Sequence, residues 1–431
     1  MTEQNEKGKE AIHEDEEEQP EVQKIWSWGA GTDGQLGTGR LEDEHLPQLL
    51  HFPSLASAGP IFLLACGGAH VIALTSGGRV MTWGRGASGQ LGHGEMVNNL
   101  YPKAVTSLQN DFIIHVSAGW SHSGFVADSG CLFTCGDGSF GQLGHGDYKS
   151  HCSPVRVSFF ANEHVEQIAC GMRHSLVLLK GCHIYAFGSG KRGQLGISEG
   201  KIKSVSVPKV TQALEEVKIA SIAANGDHSA ALSFDGHLYT WGRGFGGTPD
   251  THFPQCSSSS FLFTRAALGW NHALALTDGA QVFMLGGSHH GFLGDLEKIR
   301  PAKQLPDSRE AILEKVLGLD GTKVLHIAAG AEHSAVGHLD DLLPKKLSKW
   351  SAHSQKNDLQ DSEFRSTKQR KYQGRGSRQR LLGSISKSIP IAQYQLGEWP
   401  WLDEHTIGLV WLDNFDDTNS CLEFEAILKK T

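Results

Sequence analysis

The sequence contains no apolar run approaching the ~20 residues that a membrane-spanning helix needs. No G-x-x-x-x-G-K-[ST] loop occurs anywhere in its 431 residues, which removes the commonest phosphate cradle. Its eight cysteines form no C-x-x-C pair, Cys131 and Cys135 being the closest, and reduced thiols in the cytosol or nucleus are expected. The acidic first residues do not resemble a secretory leader, so a soluble intracellular protein without membrane contact is expected. No Ser-His-Asp order and no paired carboxylates stand out, and no enzyme chemistry is read from them.

Glycine, by contrast, is abundant: 52 of 431 residues, about 12% against a usual share of about 7%. Without a collagen period such an excess points to many tight turns, and hence to many short strands. Charge is unevenly spread. Residues 1–24 hold nine acids and three lysines, residues 364–380 hold seven Lys or Arg and no acid, and residues 398–425 hold eight acids and no base. The bland reading of all three blocks is a solvated, mobile flank. The basic strip, with Tyr372, Arg375, Arg378 and Arg380, also admits nucleic-acid contact or nuclear import.

"WGAGTDGQLGTG" at residues 28–39 fits the dinucleotide pattern G-x-G-x-x-G. It is not alone. "WGRGASGQLGHG" starts at Trp83, "CGDGSFGQLGHG" at Cys135 and "FGSGKRGQLGIS" at Phe187, while "WGRGFGGTP" at Trp241 and "LGGSHHGFLGDL" at Leu285 are partial copies. A nucleotide fingerprint occurs once and opens a helix. These copies follow strand-like text, and no long helical pattern comes after them. The glycines therefore supply positive φ in tight connections, and no cofactor is expected.

A second motif keeps step with the first: "CGGAHVIAL", "AGWSHSGFV", "CGMRHSLVL", "ANGDHSAAL", "LGWNHALAL" and "AGAEHSAVG", with His70, His122, His174, His228, His272 and His333. From each of the first five histidines to the next anchor residue the interval is 13. The text between them alternates around a Gly-bearing turn, as an antiparallel pair does. A period of about 50 residues built from short strands means an array of small sheets, packed radially to bury both faces. Trp28, Trp83 and Trp241, with Phe187 substituting, are expected as fillers between blades. The six histidines are read as structural, pairing with backbone at a turn beside the axis, rather than as a metal site; of the six, only His228 and His333 directly follow an acid, Asp227 and Glu332.

With both motifs in register, the chain resembles the regulator of chromosome condensation family, in particular its plant members related to the ultraviolet-B photoreceptor. The resemblance covers about residues 22–337. It implies an all-β, seven-bladed β-propeller, here with a degenerate or incomplete last blade. An acidic N-terminus (residues 1–21) is expected before it and an atypical tail (residues 338–431) after it. For function it implies a protein partner: an interaction scaffold in signalling or a nuclear complex, with nucleotide exchange on a Ran-like small GTPase as the alternative. Ultraviolet sensing is disfavoured, because only Trp120 and Trp270 occupy the position that carries the photoreceptor's tryptophans, and they stand three units apart. The loops before each histidine are expected to share one face. They place Trp120, Arg173, Asp227, Trp270, Asn271 and Glu332 there as a mixed aromatic and charged partner-binding surface.

Overall fold

A computed structural model describes residues 24–50, 59–197, 202–286, 313–330, 334–339, 406–412 and 424–427. The expectations for residues 1–21, for the basic strip and for Glu332 and His333 lie outside the described residues. The architecture is an all-β propeller. Its described helices are three short 3-10 turns, and no described helix is long and apolar enough to cross a membrane.

Each His–anchor unit becomes one sheet. The first blade is β3 (Ile61–Cys66), β4 (His70–Thr75), β5 (Val80–Gly84) and β6 (Asn99–Ala104), following an N-terminal pair β1 (Lys24–Gly29) and β2 (Glu44–Leu49). The second blade is β7 (Ile113–Ala118), β8 (His122–Ala127), β9 (Leu132–Gly136) and β10 (His151–Arg156). The third is β11 (Val165–Cys170), β12 (His174–Leu179), β13 (Ile184–Ser189) and β14 (Ser204–Val210). The fourth is β15 (Ile219–Asn225), β16 (His228–Ser233), β17 (Leu238–Gly242) and β18 (Thr251–Cys256). The fifth is β19 (Phe263–Leu268), β20 (His272–Thr277), β21 (Val282–Gly286) and β22 (Leu313–Lys315). Among the described residues a sixth unit supplies β23 (Lys323–Ala329) and β24 (Ser334–Leu339), and the last described strands are β25 (Thr406–Leu412) and β26 (Phe424–Ile427).

Within every complete blade the strands meander antiparallel in chain order. The first strands β3, β7, β11, β15, β19 and β23 touch one another in succession and line the centre. The constant 13-residue interval is a register. His70 pairs with Gly84, His122 with Gly136, His174 with Gly188, His228 with Gly242 and His272 with Gly286, so each anchor faces the residue after the histidine. Every His strand is buried along its whole length, and Trp83, Phe187 and Trp241 fill the spaces between sheets. Trp28 is only half-buried.

The blade count corrects the expectation of seven. Among the described residues, five sheets have all four blade strands. The reason lies in the repeats: only five units carry both the histidine and the following anchor. At the ends, β23–β24 is a two-stranded sheet, and β1–β2 is completed by β25, which runs parallel to β1 with Trp28 opposite Trp411. The strand β26 pairs antiparallel with β3 and also touches β23.

The glycines of the opening motif serve geometry in two distinct ways. Gly89 has φ +87°, and a Cβ there would lie 2.7 Å from the carbonyl oxygen of His151 in the next blade. Gly86 has no positive φ, but its missing Cβ leaves room for the Val97 carbonyl. Gly89→Val is therefore expected to lower stability by more than ~1 kcal/mol in urea unfolding. Gly279→Ala, where φ is not positive and the nearest atom lies 3.8 Å away, should stay within about 0.5 kcal/mol. Equal midpoints for the two variants would contradict this account.

Candidate protein-binding face

The histidine loops build one end of the propeller from the axis outward. Three of them begin at a glycine against which the neighbouring unit's backbone packs: a Cβ on Gly67 would meet the Gly119 carbonyl, one on Gly119 would lie 2.6 Å from the Gly171 carbonyl, and one on Gly269 would lie 2.6 Å from that of Gly330. The fourth unit's loop begins at Asn225, whose Nδ2 donates to the Leu268 carbonyl at 2.7 Å. The next residue then donates to the following unit. Gly68 N–H bonds the Gly119 carbonyl at 3.2 Å, Trp120 N–H that of Gly171 at 3.3 Å, and Met172 N–H that of Gly226 at 2.9 Å.

The histidines extend this stitching, but to side chains rather than to the backbone that was expected. Nε2 of His70 lies 2.9 Å from Ser123 Oγ, His122 lies 2.9 Å from Ser175, His174 lies 3.0 Å from Ser229, and His272 lies 2.9 Å from Ser334. Ser123, Ser175 and Ser229 in turn donate to the carbonyls of Gln90, Gln142 and Gln194, at 2.7–2.8 Å. Each of those hydroxyl hydrogens is thereby used, so the serine accepts and the imidazole donates from Nε2. The signal was present in the sequence as Ser following His. At Ala273 that serine is missing, and His228 donates instead to the Trp270 carbonyl at 2.6 Å while stacking on Phe245 at 4.2 Å.

Burial makes these imidazoles poor bases. It is the leading cause that pushes His70 and His174 down to about 3 and His122 and His228 down to about 4. They are neutral at physiological pH, and among the described residues no group of three His, Cys, Asp or Glu could hold a metal ion.

The loops place Trp120 and Trp270 two residues before the histidine and Arg173, Asp227 and Asn271 one residue before it, each between the first strand of a unit and its His strand. The structure does more than align them. The indoles of Trp120 and Trp270 stack, with centroids 6.3 Å apart and planes at 16°. Three units apart in sequence did not mean apart in space, because a ring brings distant units face to face across its axis. Gly226, where the fourth unit would otherwise carry its own side chain, makes room: a Cβ there would sit 3.0 Å from Trp270 Cδ1. The Arg173 guanidinium lies 4.9 Å from the centroid of the Phe140 ring. Asp227 Oδ1 accepts from Gln194 Nε2 at 2.9 Å, and its carbonyl accepts from Arg243 N–H. Burial raises the Asp227 pKa, while Arg173, Arg192 and Arg243 oppose that shift. Arg192 pairs with Asp250 at 3.1 Å. Phe140, Arg192 and Arg243 were missed from sequence, since they sit in the glycine loops rather than beside a histidine.

The family model of the RCC1-like domain matches residues 24–342. The chain belongs to the RCC1-like domain family. Among curated relatives it is 34% identical over 313 residues to the ultraviolet-B receptor UVR8 of Arabidopsis thaliana, covering 70% of this chain and 68% of that one. It is 31% identical over 286 residues to the mouse (Mus musculus) secretion-regulating guanine nucleotide exchange factor, covering 63% of this chain and 61% of that one. The human (Homo sapiens) E3 ubiquitin-protein ligase HERC2 matches 72% of this chain at 31% identity, but the match spans only 6% of HERC2. In fold, this RCC1-like chain is similar to yeast RCC1 (Prp20) in its structure bound to Kap60, with a TM-score of 0.61 at 24% identity over 74% of this chain and 77% of that one. It is likewise similar to human WBSCR16, with a TM-score of 0.60 at 24% identity over 72% and 80% of the two chains.

The lowered histidine pKa values set the pH response of this RCC1-like domain. An unfolded chain takes up protons near 6.5 that the folded one refuses until about 4 or 3. The stability these groups contribute is thus full above about pH 6.5 and is lost as pH falls below it, by up to about 1.4 kcal/mol per pH unit for each group. Thermal unfolding is expected to show a midpoint well below the pH 7.5 value at pH 5, with a shallower dependence in His122→Gln. A flat midpoint over that range would refute the buried neutral ladder.

Proposed function

We propose that this RCC1-like propeller is a non-enzymatic protein-binding scaffold in signalling or nuclear regulation. Its docking surface is the end that carries Trp120, Arg173, Asp227, Trp270 and Asn271, with Glu332 assigned to it by repeat position alone. The single observation behind this reading is the half-buried Trp120–Trp270 stack, with exposed Arg173 and half-buried Asp227 in the histidine loops of the two units between them in sequence. Paired aromatics ringed by arginine and carboxylate are the composition of an interface hot spot, where a few side chains carry most of the binding free energy. A role in bond-making has less support: His70, His122, His174 and His228 are buried and neutral, and Nε2 of each bonds a neighbouring unit.

Nucleotide exchange on a small GTPase is the second reading. It is favoured by the 31% identity to a protein described as a secretion-regulating guanine nucleotide exchange factor. Its mechanism would also be binding, with the end face holding the GTPase in its nucleotide-free form. Photoreception has weaker support. The Trp position is filled in two units only, and those units carry Ser121 and Asn271 where an Arg partner would stand.

The test compares proteins retained by the full chain with those retained by the Trp120→Ala/Trp270→Ala double variant, after circular dichroism shows both folded. The expected outcome is loss of the specific partners from the variant. Undiminished retention would refute the assignment of this face. Any GTPase recovered should then be assayed for release of labelled GDP, and acceleration by the wild-type chain alone would select the second reading.

A further inference from the structure

Charge around the stacked indoles is not balanced. Among the described residues, those just before the histidines are Ala69, Ser121, Arg173, Asp227 and Asn271, and those just after the anchor glycines are Ala30, Arg85, Asp137, Ser189 and Arg243, while Glu332 and Gly287 at the remaining positions lie outside the described residues. Only between the third and fourth blades do cations gather, with Arg173, Arg192 and Arg243 all acting on Asp227. Of these, Arg192 is neutralised by Asp250 at 3.1 Å. Arg173 and Arg243 are exposed, and neither belongs to an ion pair within 4 Å among the described residues. Arg173 is held over the Phe140 ring, which fixes a guanidinium without cancelling its charge. Asp227 does not offset both arginines. It is one carboxylate, partly withdrawn from solvent, with Oδ1 already accepting from Gln194. Exposed Lys191 adds another positive charge at the same edge.

We infer that Arg173 and Arg243 form a carboxylate-reading site beside the Trp120–Trp270 stack, so that the protein partner docks through an acidic segment bearing an apolar residue. The inference rests on the protein-binding reading of this face and adds the chemistry of the partner. A guanidinium offers paired N–H donors that match a carboxylate, and complementary charge sets both encounter rate and selectivity. The indoles supply the apolar contact, and the arginines choose among partners that could make it. The first unit carries an internal comparison. Arg85 is exposed at the position equivalent to Arg243, its N–H likewise bonded to the carbonyl before the histidine, but with Ala69 in place of Asp227. It has the charge without the surrounding cluster.

The probe is a fluorescein-labelled dodecapeptide of glutamates with one central phenylalanine, titrated against the full chain and followed by fluorescence anisotropy. Binding at 50 mM salt is expected to weaken at least about fivefold at 300 mM, as exposed charge pairs are screened. Arg173→Ala/Arg243→Ala should weaken it about tenfold or more, and Arg85→Ala should leave it within about twofold; all three side chains are exposed, so folding is not at stake. Absence of binding, or an equal loss in Arg85→Ala, overturns the inference. So does arginine-dependent binding of a single-stranded dodecanucleotide without binding of the peptide. If the proteins retained by the full chain are lost from the tryptophan variant but kept by the arginine variant, the docking face stands and the acidic partner falls.

Discussion

The carbonyl of the glutamine in each Gln-Leu-Gly loop is where neighbouring units are joined. Gln35 accepts from Trp83 Nε1 at 3.0 Å, Gln90 from Ser123 at 2.7 Å, Gln142 from Ser175 at 2.8 Å, and Gln194 from both Ser229 at 2.7 Å and Trp241 Nε1 at 2.9 Å. The glutamine side chain holds the loop that presents this carbonyl. Its Oε1 accepts the N–H two residues back in all four loops, from Asp33, Ser88, Phe140 and Arg192. Net, such a bond is worth about 1 kcal/mol, but a buried donor left without it costs about 1–3 kcal/mol. The arrangement thus penalises mispairing of units more than it rewards pairing. The positive-φ glycines are what let the loop turn tightly enough to bring the carbonyl there.

Among the described loops, one seam does without this device. After the fourth blade the loop runs Gly244-Phe245-Gly246-Gly247, with no glutamine, and the fifth blade has Ala273 where the second, third and fourth place serine. Donor and acceptor are lost together, although His228 Nδ1 and Trp270 Nε1 stay buried at this seam without a hydrogen-bond partner. Phe245 takes over by packing: its ring stacks on His228 and joins a buried cluster with Leu268, Phe283 and Leu285. His228 finds the Trp270 carbonyl, and so the substituted seam also fixes the strand end from which Trp270 reaches the axis. An apolar replacement for a polar joint removes direction, and the room gained at Gly226 is filled by an indole from the neighbouring unit.

Much of this was readable in the residues, for a physical reason. Strand pairing inside a blade is local, so the 13-residue interval translated directly into the His–Gly register, and the glycines announced their turns. Cys66 and Cys170 are buried, as their apolar positions suggested. Contacts between units were less legible. The sequence shows that serine follows histidine, but not that each serine serves the preceding unit's imidazole. The stack of Trp120 on Trp270 depends on ring closure, which no interval encodes. The number of complete blades was overestimated by importing the family's usual count over five full repeats. The pairing of β25 with β1 and of β26 with β3 had no motif to reveal it.

Because joining is done by backbone groups, serines and buried imidazoles, most side chains at the two positions just before each histidine take no part in it. They hold Gly68 and Ala69 in one unit, Trp120 and Ser121 in the next, then Met172 and Arg173, Gly226 and Asp227, Trp270 and Asn271. Such variety on identical scaffolding has a consequence for recognition. A side chain there can change without disturbing the ladder beneath it, so affinity and specificity can be altered at little cost in stability. The exception is Trp270, whose carbonyl carries the His228 bond and whose indole leans on Gly226. There the backbone that joins two blades also carries an indole of the proposed docking face, so a partner gripping Trp270 would pull on a seam whose loop lacks a glutamine.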